Sequence, residues 1–154
     1  MEYLLTKWVH IISSTLLFGT GLGSAFYMFF ASRTRDPRVI ATVVKYVVIA
    51  DWLFTTPTVI LQPLSGFYLV HLAGHSLHSA WLKWSIVLFL VAGAAWLPVV
   101  WMQIRMRDMA QAAAREDTAL PDLYWKYLHA WVALGVIAFA ALVIVFYLMV
   151  LKPA

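Results

Sequence analysis

The chain has 154 residues, of which 64% are hydrophobic and 12% are charged, and it contains no cysteine. Soluble domains have only about 45–50% apolar residues, so this composition indicates one compact membrane domain. The net charge of +4 does not indicate a nucleic-acid partner, because the basic residues gather at the ends of apolar segments, and the lack of cysteine excludes disulfides and cysteine-ligated iron–sulfur clusters.

Four apolar segments are each long enough for the roughly 20 residues that cross a hydrocarbon core. They cover approximately residues 4–31, 43–72, 81–104 and 127–151. We therefore predict an all-α, polytopic membrane protein with four transmembrane helices in an up-down-up-down bundle. The first segment lacks a basic leader and is longer than the core of a signal peptide, so we expect it to remain in the mature protein.

The first segment is rich in small residues, among them Gly19, Gly21 and Gly23. Small residues let helix backbones approach closely inside lipid. This segment is therefore expected either to be packed centrally or to make room for a flat ligand.

The second segment contains Pro57 and Pro63, each of which removes a backbone donor and is expected to kink or loosen the helix. Gln62 and Ser65 are close enough to satisfy the carbonyl groups that are freed. A broken helix also occurs in small transporters, which stay an alternative function.

Asp51 lies about two turns inside the same segment, where a carboxylate is costly unless it is neutral or paired. Arg105, at the end of the third segment, is the nearest expected partner. A structural ion pair is one interpretation, and a proton or quinone site is the other.

The distribution of Lys and Arg predicts the orientation of the bundle. Eight of these residues lie in or beside the first and third connections, and three lie on the opposite side: Arg33, Arg35, Arg38, Lys45, Arg105, Arg107, Arg115 and Lys126 against Lys7, Lys83 and Lys152. The positive-inside rule therefore places the first and third connections in the cytoplasm and both termini outside.

His10 and His71 are expected at a similar depth near the outer face, in neighbouring spans. Two facing imidazoles are typical ligands for haem iron or a single metal ion, whereas a lone histidine more simply bonds a neighbouring helix. Lys7 and Lys83 lie at the same boundary. They are expected to pair with the propionates of a haem or to snorkel to water.

His71, His75 and His78 are spaced four and three residues apart. If the second helix continues through Gly74, this spacing aligns three imidazoles on one face, which suits copper or zinc. If Gly74 ends the helix, the histidines are exposed loop residues. His129 starts the fourth segment at the other end and is expected to be a packing or interface residue.

Several short strings resemble a known family. They are KWVH at residues 7–10, GTGLG at 19–23, WLKW at 81–84, WLPVVW at 96–101 and FYLMVLKP at 146–153. Together they resemble an uncharacterised group of bacterial predicted integral membrane proteins, of the domain of unknown function 2269 type. The resemblance covers essentially the whole chain and implies the fold and a bacterial inner-membrane location, but no activity.

A more distant similarity is to membrane protoporphyrinogen IX oxidase of the HemJ type, through the Lys-x-x-His opening of the first helix and the Trp-Leu-Lys opening of the third. That resemblance implies haem b binding at His10 and a functional lysine at Lys83. The acidic motif near the final helix of that family is not matched in residues 124–131.

The sequence and these resemblances together predict a haem-b-binding protein with His10 and His71 as axial ligands and Lys7 and Lys83 as anchors. Its expected role is electron transfer linked to a porphyrin-like or quinol substrate, with a respiratory partner or a second copy of the chain as the other component. Whether it is an enzyme stays open, and a membrane oxidoreductase is the expected class if it is. The alternative is a non-enzymatic protein that binds copper or zinc through His10, His71, His75 and His78, or a small transporter or assembly subunit.

Overall fold

A computed structural model of the protein describes residues 1–153 as long helices joined by short connections. The helices are α1 (Glu2–Arg33), α2 (Pro37–Ala50), α3 (Thr56–Ala73), α4 (Ala80–Glu116) and α5 (Asp122–Leu151). A π-helical segment, Asp51–Thr55, joins α2 to α3, so the two form one continuous span. The chain thus has four helical units long and apolar enough to cross a membrane, and residues 1–153 contain no strand. The prediction of an all-α, four-span membrane protein is confirmed.

Local sequence signals define the ends of the second span. Asp36 caps α2 by accepting a hydrogen bond from the backbone N–H of Arg38 at 2.8 Å, and Pro37 occupies the first helical position, where no intrahelical donor is needed. At the other end, Gly74 adopts a left-handed conformation with φ of 66°, which a residue with a side chain resists. Helix α3, and with it the second span, therefore ends at Ala73.

The π-helical segment ends at Thr55, two residues before Pro57. The proline ring has no N–H and clashes with the carbonyl group four residues earlier, so the helix widens there and the backbone N–H of Thr56 reaches the carbonyl of Asp51. The expected loosening at Pro57 is confirmed. Pro63 is accommodated inside α3.

The bundle has two ends that differ in composition. The basic end carries the connections at residues 34–36 and 117–121, and the terminal end carries the connection at residues 74–79 together with the start of α1 and the end of α5. The buried core lies toward the basic end, where α2 packs against α4 and α4 against α5. Its most buried members are Met28, Ile40, Val44, Met106, Ala110 and Tyr124.

The spans separate away from this core. α3 packs mainly against α1, α5 packs mainly against α4, and α1 and α5 make few contacts with each other. Two helix pairs are therefore joined tightly at the basic end and leave space between them in the middle of the bundle.

Candidate ligand-binding cavity

His10 is a helix-packing residue. Its Nδ1 lies 2.7 Å from the Ser65 hydroxyl, and Gln62 of α3 donates to the His10 carbonyl at 2.9 Å. The single hydroxyl proton of Ser65 is directed to the Leu61 carbonyl at 2.7 Å, so Nδ1–H of His10 is the donor of the first bond. A side chain at Gly66 would contact the imidazole at 3.3 Å, so α1 and α3 are in close contact here.

Gln62 and Ser65 thus differ from their predicted role. The Gln62 amide crosses to α1 and does not bond a carbonyl group of its own helix. Ser65 bonds the carbonyl of Leu61, four residues earlier, while accepting from His10. Both side chains join α1 to α3.

His71 lies away from this contact. Gln62, Ser65 and Gly66 face α1, and at 3.6 residues per turn His71 projects about 180° from their mean direction. Its side chain is exposed. The structure does not bring His10 and His71 together, so a haem between these two imidazoles does not fit.

The predicted outer anchors are exposed at the terminal end. The Lys7 ammonium lies 5.8 Å from the centre of the Tyr3 ring. Lys83 lines an open groove of about 320 Å³ that also involves His78, Ala80, Trp84 and Val87. Both lysines have the placement expected of side chains that reach for water at a membrane boundary.

The three histidines at spacings of four and three do not lie on one continuous helix, because α3 ends before Gly74. His75 packs edge-on against Trp81 at 5.6 Å between ring centres. Within residues 1–153, no group of three or more His, Cys, Asp or Glu side chains is arranged to hold a metal ion. His129 bonds the carbonyl of Trp125 in its own helix at 2.6 Å and is exposed.

The space between the helix pairs is a cavity of about 470 Å³, which we call the central cavity. All four spans line it, and its walls are mainly apolar, with Asp51, Thr55 and Gln103 among the few polar members. This size and this mixture of many apolar and few polar groups are typical of a small-molecule site.

The central cavity is long. Its wall on α4 extends from Phe89 to Gln103, which is about 21 Å at 1.5 Å per residue. None of the five histidines, as placed within residues 1–153, lines it.

Asp51 is the most unusual residue of the central cavity, since it is only 5% exposed. Thr55 donates a hydrogen bond to its Oδ1 at 2.8 Å, and the Gln103 side chain of α4 lies close to the carboxyl, although no group makes a hydrogen bond of good geometry to Oδ2. Arg105 does not pair with it and instead lies over the Trp101 ring at 5.7 Å. The predicted Asp51–Arg105 ion pair is therefore wrong, because the arginine head lies on an exposed aromatic face instead of reaching into the bundle.

Two indole nitrogen atoms of the cavity wall also lack partners, those of Trp96 and Trp131. An unsatisfied buried polar group costs about 1–3 kcal/mol. Three of the four buried side-chain atoms without a partner in residues 1–153 thus belong to cavity-lining residues, and the fourth is the hydroxyl of Ser13.

The register of the first two spans gives the level of Asp51 in the bundle. The His10–Ser65 bond fixes the register of the two antiparallel spans. Counted from this bond, Ser24 lies as many residues along α1 as Asp51 lies back along the second span, so Asp51 is opposite Ser24.

The bond between Ser32 and Tyr124 sets the level of α5 in the same way. Counted from this bond, Trp131 lies as many residues along α5 as Ala25 lies back along α1, so Trp131 is opposite Ala25. On α4, the Gln103 side chain lies close to the Asp51 carboxyl, and Trp96 precedes Gln103 by about two turns. Asp51, Gln103 and Trp131 therefore lie at the end of the central cavity that is nearer the basic end, and Trp96 lies near the middle of its α4 wall.

The central cavity has an apolar opening between α1 and α5. Phe26 and Val136 line it and are 56% and 62% exposed. Toward the terminal end the opening is closed by Phe18, which stacks on Phe139 at 4.8 Å and meets Phe146 edge-on at 5.4 Å. In a bilayer, the opening faces lipid.

Sequence reasoning identified Asp51 as a candidate but missed its neighbour Gln103 and the cavity itself. The available signals were glycines in three different spans: Gly21, Gly93 and Gly135 all line the cavity, and a Cβ atom at any of them would meet nothing within 4 Å. Small residues on facing spans can mark empty space as well as close packing.

The fold and the central cavity define the class of the protein: an integral membrane four-helix bundle with an internal, largely apolar site. Residues 4–153 match the family model described as "Predicted integral membrane protein (DUF2269)", and the chain belongs to this family. The family resemblance seen in the sequence is confirmed. No curated protein and no solved structure matches the chain.

Proposed function

We propose that the protein binds a lipophilic small molecule inside the membrane, in the central cavity. The observation that carries this proposal is the buried Asp51 carboxyl, whose Oδ2 receives no hydrogen bond of good geometry, in the wall of a cavity of about 470 Å³. Ionisable residues at membrane depth are costly and usually mark a substrate, proton or ligand site. A ligand that bonds Asp51 and fills the apolar space offsets that cost.

The ligand enters from the bilayer. The opening between α1 and α5 faces lipid, and a lipophilic molecule is already concentrated there. Asp51 and Gln103 then recognise its polar head group, and the apolar wall holds the rest of the molecule.

The test is to extract and identify small molecules that copurify with the protein in lipid nanodiscs. Gly21→Leu places a large side chain in the central cavity, whereas Gly19→Leu, on the same helix, does not line it. We expect a lipophilic compound with the parent protein and with Gly19→Leu, and its loss with Gly21→Leu. Equal amounts in both variants would contradict the proposal, as would the absence of any such compound from the parent protein.

We further propose that the basic end faces the cytoplasm of a bacterial inner membrane, because eight basic residues lie there against three at the other end. The chain has no cysteine, so single-cysteine variants carry one label each. We expect Ser76→Cys to react with an impermeant maleimide in intact cells and Thr118→Cys to react only after lysis. The reverse pattern would show the opposite orientation.

An electron-transfer role through haem b stays a prediction, and the two proposed axial ligands, His10 and His71, project in different directions. A reduced-minus-oxidised spectrum of protein produced with abundant haem measures it. A haem spectrum lost in His10→Ala and retained in His71→Ala would support a single axial ligand from α1.

A further inference from the structure

We propose that the ligand of the central cavity is a lipophilic amine, which binds in its protonated form with its ammonium group at Asp51. This inference rests on the ligand-binding function proposed above and adds the chemical class of the ligand. It follows from the side chains at the polar end of the cavity, which we define as Asp51, Thr55 and Gln103.

The polar end of the cavity has more acceptors than donors. The Oδ1 atom of Asp51 accepts from the Thr55 hydroxyl, and Oδ2 receives no hydrogen bond of good geometry. Gln103 lies close to the carboxyl, and an amide that turns its NH₂ group to Asp51 leaves its own oxygen free to accept. A ligand that donates is therefore favoured there. A protonated primary amine carries three N–H donors and no acceptor.

The charge of the cavity wall favours the same ligand. Asp51 is 5% exposed, and no Lys, Arg or His lines the cavity within residues 1–153 to balance a carboxylate. Arg105 lies over the Trp101 ring and does not pair with Asp51. A carboxylate at membrane depth is costly unless a cation accompanies it. An amine ligand brings that positive charge with it.

Other lipophilic head groups meet these two requirements less well. A fatty acid adds a second negative charge beside Asp51, and a phospholipid adds its phosphate group. A quinone or an ester has carbonyl oxygens, which accept hydrogen bonds and do not donate them. An alcohol donates one hydrogen bond but carries no charge, so the carboxylate stays unbalanced. The ammonium group both donates and balances the charge.

The rest of the central cavity suits the apolar part of such a molecule. Asp51 and Gln103 lie at the end nearer the basic end, and from Gln103 the α4 wall continues for about 21 Å to Phe89 with mainly apolar side chains. An amphiphilic amine in the leaflet at the basic end has its head group on the same side of the bilayer as Asp51. It can therefore enter through the opening between α1 and α5 without turning over.

The test compares three probes that share a decyl chain: decylamine, decanol and undecanoate. Near neutral pH their head groups are a cation, a neutral hydroxyl and an anion. Binding is measured on immobilised nanodiscs of a zwitterionic lipid by chromatography of the bound probe, with empty nanodiscs as the blank. We expect decylamine to bind at least about tenfold more tightly than decanol, because hydrogen bonds to charged groups are the stronger ones, and undecanoate to bind most weakly.

Asp51→Asn is the decisive variant, because it keeps the size of the side chain and removes its charge. We expect decylamine to lose at least about tenfold in affinity and decanol to change by about threefold or less. Asp117→Asn is the matched control, since it removes an exposed carboxylate that does not line the cavity. It should leave the affinities of all three probes unchanged. Gly21→Leu should weaken decylamine and decanol alike.

Three results would overturn the amine assignment. The first is a parent protein that binds decanol or undecanoate as tightly as decylamine, which is the order expected if Asp51 is neutral and donates its own proton. The second is an Asp51→Asn protein that keeps the preference for decylamine. The third is an Asp117→Asn protein that loses as much decylamine affinity as Asp51→Asn.

If Asp51→Asn does not fold, labelling of the parent protein by dicyclohexylcarbodiimide replaces it, with the modified carboxyl located by peptide mass spectrometry. Decylamine should protect Asp51 at a concentration about tenfold lower than decanol, and equal protection would contradict the proposal. If decylamine has no preference while Gly21→Leu still removes a copurifying compound, the amine is wrong and the ligand-binding function stands. If Gly21→Leu also has no effect, both fail.

Discussion

The hydrogen bond between Ser32 and Tyr124 provides a sharp test of how α1 packs against α5 beside the central cavity. Both residues are fully buried, and the two oxygen atoms are 2.7 Å apart. Ser32 directs its one proton to the Met28 carbonyl at 2.8 Å, so the Tyr124 hydroxyl must donate to Ser32. The two single substitutions therefore have different consequences.

Ser32→Ala leaves a buried tyrosine O–H without an acceptor, and we expect the free energy of unfolding to fall by about 1–3 kcal/mol. Tyr124→Phe leaves Ser32 with its proton still bonded, so only one interhelical bond is lost, at about 0.6 kcal/mol in membrane proteins. The double variant should resemble Tyr124→Phe, because it no longer contains the unpaired donor.

The assay is reversible unfolding by sodium dodecyl sulfate in mixed micelles, followed by tryptophan fluorescence. Ser14→Ala is the matched control: it removes a serine that bonds only its own helix, at Ile11, and should change the free energy by less than about 0.5 kcal/mol. If Tyr124→Phe costs as much as Ser32→Ala, or if the two effects simply add, the assignment of the donor is wrong.

Two further predictions use the same unfolding assay. Arg105→Gln should change the free energy of unfolding by less than about 0.5 kcal/mol, because Arg105 does not pair with Asp51. Loss of one partner of a buried ion pair costs about 3–5 kcal/mol, so a loss of that size would show that the two residues do pair. Gly93→Ala should stabilise α4 by about 0.5–1 kcal/mol, since its new methyl group meets open space. Gly66→Ala should be destabilising, because its methyl group would approach His10 at 3.3 Å. Equal effects of the two substitutions would contradict the close contact of α1 and α3.

The four spans were predictable because their signal is local. Each is a run of about 20 or more apolar residues, and a bilayer allows such a run to satisfy its backbone only as a helix. The helix end at Gly74 and the loosening before Pro57 are local as well, since glycine tolerates positive φ and proline lacks a donor. Each of these features depends on only a few neighbouring residues.

The relative rotation of the spans was not predictable. His10 and His71 are both near the terminal end, as their positions along the helices require, yet they project in different directions because Gln62 and Ser65 fix which face of α3 meets α1. Hydropathy does not encode that choice, since in lipid an apolar residue is equally favourable against lipid or against another helix. The depth of a residue along a span can be predicted from sequence more readily than the direction in which its side chain points.

The same reasoning explains why Asp51 carries more functional information than the histidines. The imidazole of His10 has a partner in the protein, so its retention needs no ligand. The buried Oδ2 of Asp51 receives no hydrogen bond of good geometry, and Arg105 does not pair with it. Ionisable residues at membrane depth usually mark a ligand, substrate or proton site, and the cavity beside Asp51 has room for the ligand that we propose.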